Sequence, residues 1–405
     1  MSESPHALDP ALLHSWLIEA GLASLPSGEL FDGFCRRLVA SGVPIARGFL
    51  SIGALHPLWR ARSFTWQDGR LAEVADFAYD YMQTRGWQAS PFRHMMETRT
   101  PRLHRRLAGA DARLDFPVLA EFRAAGLTEW LALMHDFGWD QGRQEGHHLG
   151  IVLSWATDRP QGWSAAEREA VEALSRPLSL AVKAGTALDT TRAVLATYIG
   201  QDAAALVVGG HVRRGSVGRL PSFILYADLR GFTDFAEVTA PEEVTRRLNG
   251  YFECMGEAVA AAGGEILKFL GDGILAAFLP REPAERPAVA AATLAAAQDL
   301  LARVDRLNAA EAAAGHPALA LDIALHEGEV TYGNVGTAER LDFTAIGPAI
   351  NEATRLEALC KTLGRNLLVS DSFVRAAPAL RAQLRSLGRH KLRGVREERE
   401  VFAPA

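Results

Sequence analysis

The chain has 405 residues, of which 48% are hydrophobic and 22% are charged, and its formal net charge is −5. These values are typical of globular proteins, exclude a disordered or fibrous chain, and favour two domains joined by a connector. The mild net charge gives no global attraction to nucleic acid or to an anionic membrane, so an anionic ligand must be bound by local groups.

Three cysteines, Cys35, Cys254 and Cys360, are far apart in the sequence and odd in number. This usage favours a reducing compartment and buried thiols over a disulfide framework or a zinc site. The start of the chain, MSESPHALDP, lacks the basic and then apolar pattern of a signal peptide, and no apolar run is long enough to cross a bilayer. We therefore expect a soluble cytoplasmic protein.

The first predicted domain covers residues 1–184. Apolar and β-branched runs predict strands around residues 48–52 and 148–156, within a mixed α+β module. Near the end of this domain, WSAAEREAVEALSRPLSLAV begins with Ser164 as a helix N-cap and a glutamate three residues later, which predicts a long closing helix. This order of strand, turn and closing helix resembles the C-terminal part of a GAF-like sensor domain.

Histidines and tryptophans of this domain suggest two kinds of ligand site. The histidines, which could bind haem or metal, are His104, His135, His147 and His148. None of them has a second ligand at helical spacing, as in HExxH, so structural roles are favoured. The tryptophans, which could line a small-molecule pocket but are more often core residues, are Trp87, Trp130 and Trp139.

Residues 185–217 form the predicted connector. Their pattern is helical at first and breaks at Gly209-Gly210. A helical connector can transmit a rotation or a shift that a flexible linker would absorb, and the alternative is a simple spacer.

The third predicted domain, residues 218–405, begins with the segment FILYADLRGFTDF. An apolar strand over residues 223–227 leads to Asp228 and then to a turn at Gly231. An acid at the end of a strand, followed by a glycine turn, is typical of a metal–phosphate site, although such an aspartate often only caps the turn. The following segment, residues 241–263, has apolar residues at helical spacing and is predicted to be a scaffold helix.

The stretch ILKFLGDGILAAF, residues 266–278, places Lys268 and Asp272 in an otherwise apolar segment. Two apolar runs around Gly-Asp-Gly predict a β-hairpin, in which Asp272 is either a turn residue or a ligand. Together with Asp228 on an adjacent strand, Asp272 would form a pair of carboxylates able to hold two divalent cations against a triphosphate.

Residues 318–347 are rich in strand formers and precede a helix that contains PAINEATRLEALCK. Asn351 and Arg355 are four residues apart and therefore lie on one face of this helix. They are either solvated surface residues or, beside a phosphate, a neutral donor and a fixed cation.

Four segments in this order, ADLRGFTDF, EILKFLGDGILAAF, FTAIGPAINEATRLE and HKLRGVREEREVF, resemble class III nucleotidyl cyclase catalytic domains over residues 218–405. The resemblance implies a ferredoxin-like fold of the βαββαβ type. It also implies that Asp228 and Asp272 bind two Mg²⁺ or Mn²⁺ ions with help from the backbone carbonyl of Leu229. The backbone that would contact the phosphates belongs to Gly231, Phe232 and Thr233.

The same resemblance implies roles in the cyclisation of ATP to cyclic AMP and pyrophosphate. Lys268 resembles the adenine-reading lysine of adenylate cyclases, where guanylate cyclases carry glutamate. Thr344 takes the partner position, which is more usually aspartate, as in a bacterial subgroup with bicarbonate-responsive members. Asn351 would orient the ribose, and Arg355 would stabilise the charge on the α-phosphoryl group. The contact to the triphosphate falls on Arg393, with Lys391 as the alternative.

In the family each active site lies between two catalytic domains, so the resemblance implies a homodimer in which one subunit supplies the metal ligands and the other the remaining residues. The N-terminal domain would then regulate how the two catalytic domains meet. The alternatives are a catalytically silent cyclase-like domain that dimerises as a sensor, and a cyclase acting on GTP or a pyrimidine triphosphate. A diguanylate cyclase is disfavoured because LGDGI lacks the GG[DE]EF signature.

Overall fold

The computed structural model describes residues 10–53, 56, 59–138, 150–211, 217–337, 339–395 and 397–405. The chain divides into two units, Met1–Thr197 and Tyr198–Ala405, each with its own hydrophobic core. Within the described residues, no helix combines the length and the apolar character needed to span a membrane.

The N-terminal unit is built on a six-stranded antiparallel sheet. Its strands are β1 (Arg47–Gly53), β2 (Trp59–Gln67), β3 (Arg70–Ala78), β4 (Arg102–Arg106), β5 (Glu129–Asp136) and β6 (Gly150–Thr157). Their spatial order is β3-β2-β1-β6-β5-β4. Its helices are α1 (Pro10–Leu22), α2 (Ser27–Ala40), α3 (Arg85–Gln88), α4 (Pro91–Glu97), α5 (Pro117–Ala124) and α6 (Ala165–Ile199).

Helix α6 confirms the predicted closing helix and its start. The Glu167 N–H donates to Ser164 Oγ at 3.2 Å, and the Ser164 N–H donates to Glu167 Oε2 at 2.6 Å, which is a reciprocal capping box. Val171, Leu174 and Leu178 from α6 join the core of this unit. The helix continues past the predicted domain to Ile199.

Two of the histidines, for which structural roles were favoured, have side-chain partners within the N-terminal unit. His104 Nε2 is 2.6 Å from Glu129 Oε1, and His135 Nε2 is 2.9 Å from Ser175 Oγ. Trp130 is buried as predicted, whereas Trp87 is only half-buried. The other residues of this prediction, Trp139, His147 and His148, lie outside the described residues. The expectation of buried thiols holds for Cys35 and Cys360, and Cys254 is half-buried.

The C-terminal unit is built on an eight-stranded sheet with the order β13-β14-β12-β10-β7-β9-β8, and β11 pairs with β10 outside this path. Its strands are β7 (Val217–Arg230), β8 (Glu265–Leu270), β9 (Gly273–Phe278), β10 (Ala320–Gly336), β11 (Leu341–Ile346), β12 (Leu367–Ser370), β13 (Leu384–His390) and β14 (Arg399–Pro404). Its helices are α7 (Gln201–Val208), α8 (Phe232–Val238), α9 (Pro241–Ala261), α10 (Arg286–Ala313), α11 (Pro348–Glu357), α12 (Leu359–Leu363) and α13 (Asp371–Ala376).

The order β7-α9-β8-β9-α10-β10 is the predicted βαββαβ order, and the four strands lie side by side as β10-β7-β9-β8. Helices α9 and α10 cover one face of the sheet and form the larger core with it. Helix α11 packs on the other face, where a smaller core includes Ile224, Leu275 and Ala353. These two faces are called the α9 face and the α11 face below.

The connector contains α7, which ends before Gly209 as predicted. A second break, at Gly200, separates α6 from α7 and was not predicted. Gly200 has a φ of +89°, and a Cβ atom there would lie 2.6 Å from Glu265 Oε1. The Asp202 N–H, in the first turn of α7, donates to the same carboxylate oxygen at 3.1 Å. Glu265 is the first residue of β8, so the start of α7 is attached to the strand that carries Lys268.

Candidate active site

Strand β7 determines the direction in which Asp228 points. Phe223, Leu225, Ala227 and Leu229 belong to the core of the α9 face, whereas Ile224 belongs to the core of the α11 face. Because successive side chains of a strand point to opposite faces, Asp228 lies on the α11 face. A carboxylate at the end of a buried strand is thereby held on a rigid element.

Asp272 reaches Asp228 through the turn of the β8–β9 hairpin. Residues Ala227 and Ile274 are paired between β7 and β9, so the hairpin turn lies beside the end of β7. Gly273 makes this close approach possible, because a Cβ atom there would lie 2.5 Å from Asp228 Oδ1. The structure thus brings together the two acids that the sequence analysis paired.

The pKa values of both carboxyl groups are raised. Burial, together with the charges of Asp272 and Asp322, raises the pKa of Asp228 to about 6. Burial also raises the pKa of Asp272. Both groups are more costly to ionise than ordinary surface carboxyls, which is characteristic of sites that bind a cation or a reacting group.

Two further acids, which the sequence analysis missed, belong to this cluster. Asp322 of β10 is paired with Asp228 of β7 in the sheet and is buried. At the end of α11, burial and the charges of Asp228 and Asp322 raise the pKa of Glu357 to about 7. The run ALALDIAL contains Asp322 as an acid within an apolar strand, which is the same signal that drew attention to Lys268.

The guanidinium of Arg230 contacts this cluster. It donates to Asp322, with a distance of 2.8 Å between Nε and Oδ2, and binds that carboxylate through both oxygens. The remaining acids of the cluster are Asp228, Asp272 and Glu357. Among the described residues, one guanidinium is thus hydrogen-bonded to a cluster of four carboxyl groups, and the cluster has a surplus of negative charge that a divalent cation would offset.

Lys268 belongs to a second group of residues, on β8 and β11. Strand β8 has a bulge between Ile266 and Lys268. Ile266 packs in the core of the α9 face, and the ring of Phe269 contacts that of Phe252 of α9 in a tilted arrangement, with ring centroids 4.6 Å apart. Two side chains three residues apart share a face only because the bulge adds a residue, and the bulge turns Lys268 away from α9.

The ammonium group of Lys268 forms an ion pair with the carboxylate of Asp342 on β11. Asp342 and Thr344 are two residues apart and share one face of this strand, while Ala345 packs into the core of the α11 face. Thr344 was predicted to be the partner of Lys268, and Asp342 was not predicted. The alternation of β11 could have indicated that Asp342 and Thr344 lie on the same side.

Asn351 and Arg355 lie on α11, as predicted, with Asn351 exposed and Arg355 half-buried. A Cβ atom at Gly394 would lie 3.5 Å from the terminal nitrogens of Arg355, so the turn after β13 passes beside the guanidinium. This turn contains Arg393, which is exposed, as is Lys391. Two candidate cations for an anionic ligand are thus in neighbouring segments.

The segment predicted to contact phosphates follows β7 directly. Leu229 is buried in the core, and Gly231 precedes α8. Phe232 packs against the core, and its ring centroid is 6.0 Å from that of Phe235. Thr233 lies in the first turn of α8. The backbone of this turn is therefore adjacent to Asp228 in the chain.

A separate acidic cluster, Glu243, Glu311 and His316, has ligand atoms close enough to surround a metal ion. The guanidinium of Arg246 donates to both carboxylates, at 2.6 Å to Glu243 and at 2.9 Å to Glu311. Neutralisation by arginine makes this cluster an ion-pair network between α9 and α10. It is distinct from the acids around Asp228.

The C-terminal unit matches known proteins. Residues 221–403 match the family described as the adenylate and guanylate cyclase catalytic domain. An adenylate cyclase of Anabaena cylindrica is 38% identical over 152 residues, which cover 38% of this chain and 30% of that protein. Adenylate cyclase 1 of Rhizobium meliloti is 32% identical over 196 residues, which cover 48% of this chain and 29% of that protein. The matches thus span less than a third of these two relatives.

Among solved structures, the adenylyl cyclase CyaB from P. aeruginosa is similar to this chain with a TM-score of 0.42 and 24% sequence identity. The similarity covers 47% of this chain and 96% of that structure.

Proposed function

Because its C-terminal unit carries an adenylate/guanylate cyclase catalytic domain, we propose that this chain is an adenylate cyclase that converts ATP to 3′,5′-cyclic AMP and pyrophosphate. The observation that carries the proposal is the adjacency of Asp228 and Asp272 at the ends of two buried strands, in a cluster with surplus negative charge. The two named adenylate cyclases support the reaction class.

The residues around Asp228 fit one or two divalent cations, Mg²⁺ or Mn²⁺. Hard cations prefer carboxylate oxygens, and the raised pKa values of Asp228 and Asp272 mean that a bound cation would relieve the repulsion between these acids. Asp228 and Asp272 would hold it, with the backbone carbonyl of Leu229. When bound, the cation supplies neutralising charge for the triphosphate and lowers the pKa of the ribose 3′-hydroxyl.

The other residues bind and orient ATP. Lys268 donates a hydrogen bond to a ring nitrogen of adenine, and Thr344 accepts one from the exocyclic amine. Asn351 orients the ribose, so that the 3′-oxygen attacks the α-phosphorus and the bond to the pyrophosphate oxygen breaks. Arg355 stabilises the charge that develops on the α-phosphoryl group.

The triphosphate has its own contacts in this proposal. Its binding groups are the backbone of Gly231, Phe232 and Thr233, and the side chain of Arg393. The exposed turn beside Arg355 supports Arg393 in this role, and Lys391 is the alternative.

We propose further that the enzyme is a homodimer. Exposed apolar residues flank Lys268 and Thr344 on β8 and the β10–β11 hairpin, and a second copy of the chain would bury them. These residues are Phe269, Leu270, Val335, Leu341 and Ile346. In the dimer, Asp228 and Asp272 of one subunit act with Lys268, Thr344 and the α11 residues of the other.

The N-terminal unit is proposed to be a GAF-like regulatory domain. Its six-stranded antiparallel sheet with packed helices supports this assignment. Helix α6 leads from this unit into the connector, whose helix α7 is attached to β8 through Glu265. A signal in the N-terminal unit would act by changing how two catalytic units meet.

The direct test is to incubate the purified chain with each of the four ribonucleoside triphosphates and Mn²⁺ or Mg²⁺, and to identify cyclic products by mass. We expect cyclic AMP as the main product and its loss in Asp272→Ala and Arg355→Ala. A cyclic product from GTP or a pyrimidine triphosphate instead of ATP would correct the substrate. The absence of any cyclic product would support the silent sensor.

The shared site has a test of its own. Asp228→Ala and Asn351→Ala chains should each be inactive, because each removes a residue from both sites of its homodimer. Mixing them should restore activity, since the heterodimer contains one site with neither substitution. Subunit exchange is verified first. If activity then fails to recover, the result would contradict the shared site.

A further inference from the structure

The buried side of helix α9 begins with a charged residue, Arg247, of which only 1% of the side chain is exposed. Two of its guanidinium nitrogens, Nε and Nη1, are buried without a hydrogen bond to any described residue. Burying an ionised group with incomplete hydrogen bonding costs free energy, so an apolar side chain of similar size would serve the core at least as well. Stability alone therefore does not account for an arginine at this position.

The third nitrogen of Arg247, Nη2, is bound to the segment that leads into β10. It donates to the backbone oxygen of Pro317 at 2.7 Å and to the Tyr251 hydroxyl at 3.1 Å. That hydroxyl donates to Asn308 Oδ1 at 2.5 Å, and the Leu319 N–H donates to the same oxygen at 3.1 Å. The network thus fixes the chain at the start of β10, the strand that is paired with the end of β7.

The same guanidinium contacts helix α8. Its Cζ atom lies 5.2 Å from the ring centroid of Phe235, a distance typical of a cation–π contact. Among the seven residues of α8, only Phe235 is buried, so this ring attaches the helix to the core. The Phe235 N–H donates to the Gly231 oxygen at 3.1 Å, and Thr233 lies between these two residues. The position of Phe235 therefore determines where the turn after β7 lies.

We propose that Arg247 is a positioning residue for the triphosphate, because it holds the backbone of Gly231, Phe232 and Thr233 in place beside the end of β7. It joins α8 to the start of β10, and these two segments border that turn. A planar guanidinium suits this role, since its face contacts an aromatic ring while its edge donates to a carbonyl oxygen. This inference rests on the proposed adenylate cyclase function.

The test compares the full-length wild type with Arg247→Met, which keeps an apolar stem and removes the guanidinium. The main measurement is the inhibition constant of inorganic tripolyphosphate against ATP, with Mn²⁺ in excess. We expect this constant and the KM for ATP to rise roughly 10-fold, because the groups that bind phosphate are displaced. The inhibition constant of adenosine, which has no phosphate, should change by less than about 2-fold. A smaller folded fraction would instead lower kcat and leave both inhibition constants unchanged.

Arg246→Met is the matched control. Arg246 donates at 2.9 Å to Glu311, the carboxylate that also lies 3.4 Å from Arg247 Nε. Within the described residues, Arg246 has no hydrogen bond or cation–π contact with Phe235 or Pro317. Its loss disturbs the same ion-pair network but not the contacts to α8 and β10. Both inhibition constants should therefore stay within about 2-fold of wild type.

Phe235→Leu tests the other side of the contact and replaces Arg247→Met if that variant is insoluble. Leucine keeps an apolar side chain beneath α8 but removes the ring, so tripolyphosphate should again inhibit more weakly. In the double variant, the two effects should sum to less than their separate values, because both substitutions remove one contact.

Unchanged inhibition by tripolyphosphate in the soluble variants would overturn the inference while leaving the cyclase function intact. Additive effects in the double variant, or an equal increase in Arg246→Met, would overturn it as well. A wild type that forms no cyclic nucleotide would instead overturn the proposed function, and this inference with it.

Discussion

Each unit of the molecule contains a cluster of ionisable residues, and the two clusters are balanced in opposite ways. In the N-terminal unit, the Glu129 side chain is fully buried and accepts from four groups. His104 Nε2 is at 2.6 Å, Arg106 Nη1 at 3.0 Å, the Trp163 N–H at 2.8 Å and Arg168 Nη1 at 3.2 Å. Burial alone would raise the pKa of Glu129, but the hydrogen bonds from His104 and Trp163, together with the charges of His104 and Arg168, outweigh it and lower the pKa.

In the C-terminal unit, Asp228, Asp272 and Glu357 are only partly buried, yet their pKa values are raised. Arg230 binds Asp322, and the acids that remain repel one another. Burial with sufficient donors thus gives an ionised structural group, whereas burial with too few donors gives a group that favours a cation. The balance of donors, more than the depth of burial, distinguishes a structural cluster from a candidate site.

The largest effect that follows from this comparison concerns Glu129. Glu129→Ala would leave Arg106 and Arg168 without their buried partner and should lower the free energy of unfolding by about 3–5 kcal/mol. All eight tryptophans precede residue 164, so tryptophan fluorescence during urea unfolding reports on the N-terminal unit alone.

The matched control is Glu97→Ala, which removes an exposed ion pair with Arg93 in the same unit. It should change the free energy of unfolding by less than about 1 kcal/mol. If the two variants lose similar amounts of unfolding free energy, the donors around Glu129 contribute no more to stability than an exposed ion pair.

Asp228→Asn tests the cluster of the C-terminal unit, in which the carboxyl groups have too few donors. It should reduce the formation of cyclic AMP by at least ~100-fold, because a bound metal ion contributes several kcal/mol to the transition state. The variant should be no less stable than wild type without metal, since it removes a repelling charge. Unfolding of the N-terminal unit, followed by tryptophan fluorescence, should be unchanged.

Activity within a few-fold of wild type would contradict the role assigned to Asp228. The control for loss of an aspartate in this unit is Asp299→Asn on α10, which removes an ion pair with Arg303. This variant should retain activity.

A smaller effect is expected from pH. The pKa of Glu357 is raised from 4.5 to about 7, and that of Asp228 from 3.8 to about 6. Between about pH 4 and 7 the folded state therefore binds more protons than the unfolded state, and these groups make the metal-free protein less stable as the pH rises through this window.

A divalent cation binds the ionised form of the cluster, so it should restore stability at high pH. The increase in Tm with Mg²⁺ or Mn²⁺ should be greater at pH 8 than at pH 5.5, with ~2–4 °C for each kcal/mol of binding. Calorimetry measures the thermal unfolding transition with and without the cation at each pH. In Asp228→Asn, the Tm increase caused by the cation should differ little between pH 8 and pH 5.5. Equal shifts at the two pH values would argue against a cation at these acids.

The sequence predicted the strands in which apolar and polar residues alternate, and the helices whose capping residues are close in the sequence. The strand before Asp228, the hairpin around Asp272 and the capped start of α6 were predicted because each signal lies within a few residues. The resemblance of residues 218–405 to class III cyclase domains agrees with the family match over residues 221–403. Its proposed residue roles stay predictions.

The remaining features depend on contacts between distant segments. Asp322 joins the cluster because β10 pairs with β7 in one register, and Glu357 joins it because α11 packs on that face. Asp342 meets Lys268 only because β8 contains a bulge. The break at Gly200 reflects the approach of Glu265, which lies 65 residues further along the chain. Local periodicity contains no information on such registers.

Gly200 has a practical consequence for building hybrid proteins from this chain. Its positive φ and the nearby carboxylate leave no space for a side chain, so even alanine would displace the start of α7 from the first residue of β8. A foreign input module should therefore be fused upstream of this glycine, within α6. The C-terminal unit then keeps its native junction between Gly200, α7 and Glu265. Fusions made after Gly200 would remove the contact between the start of α7 and Glu265, through which a new input module could act on β8.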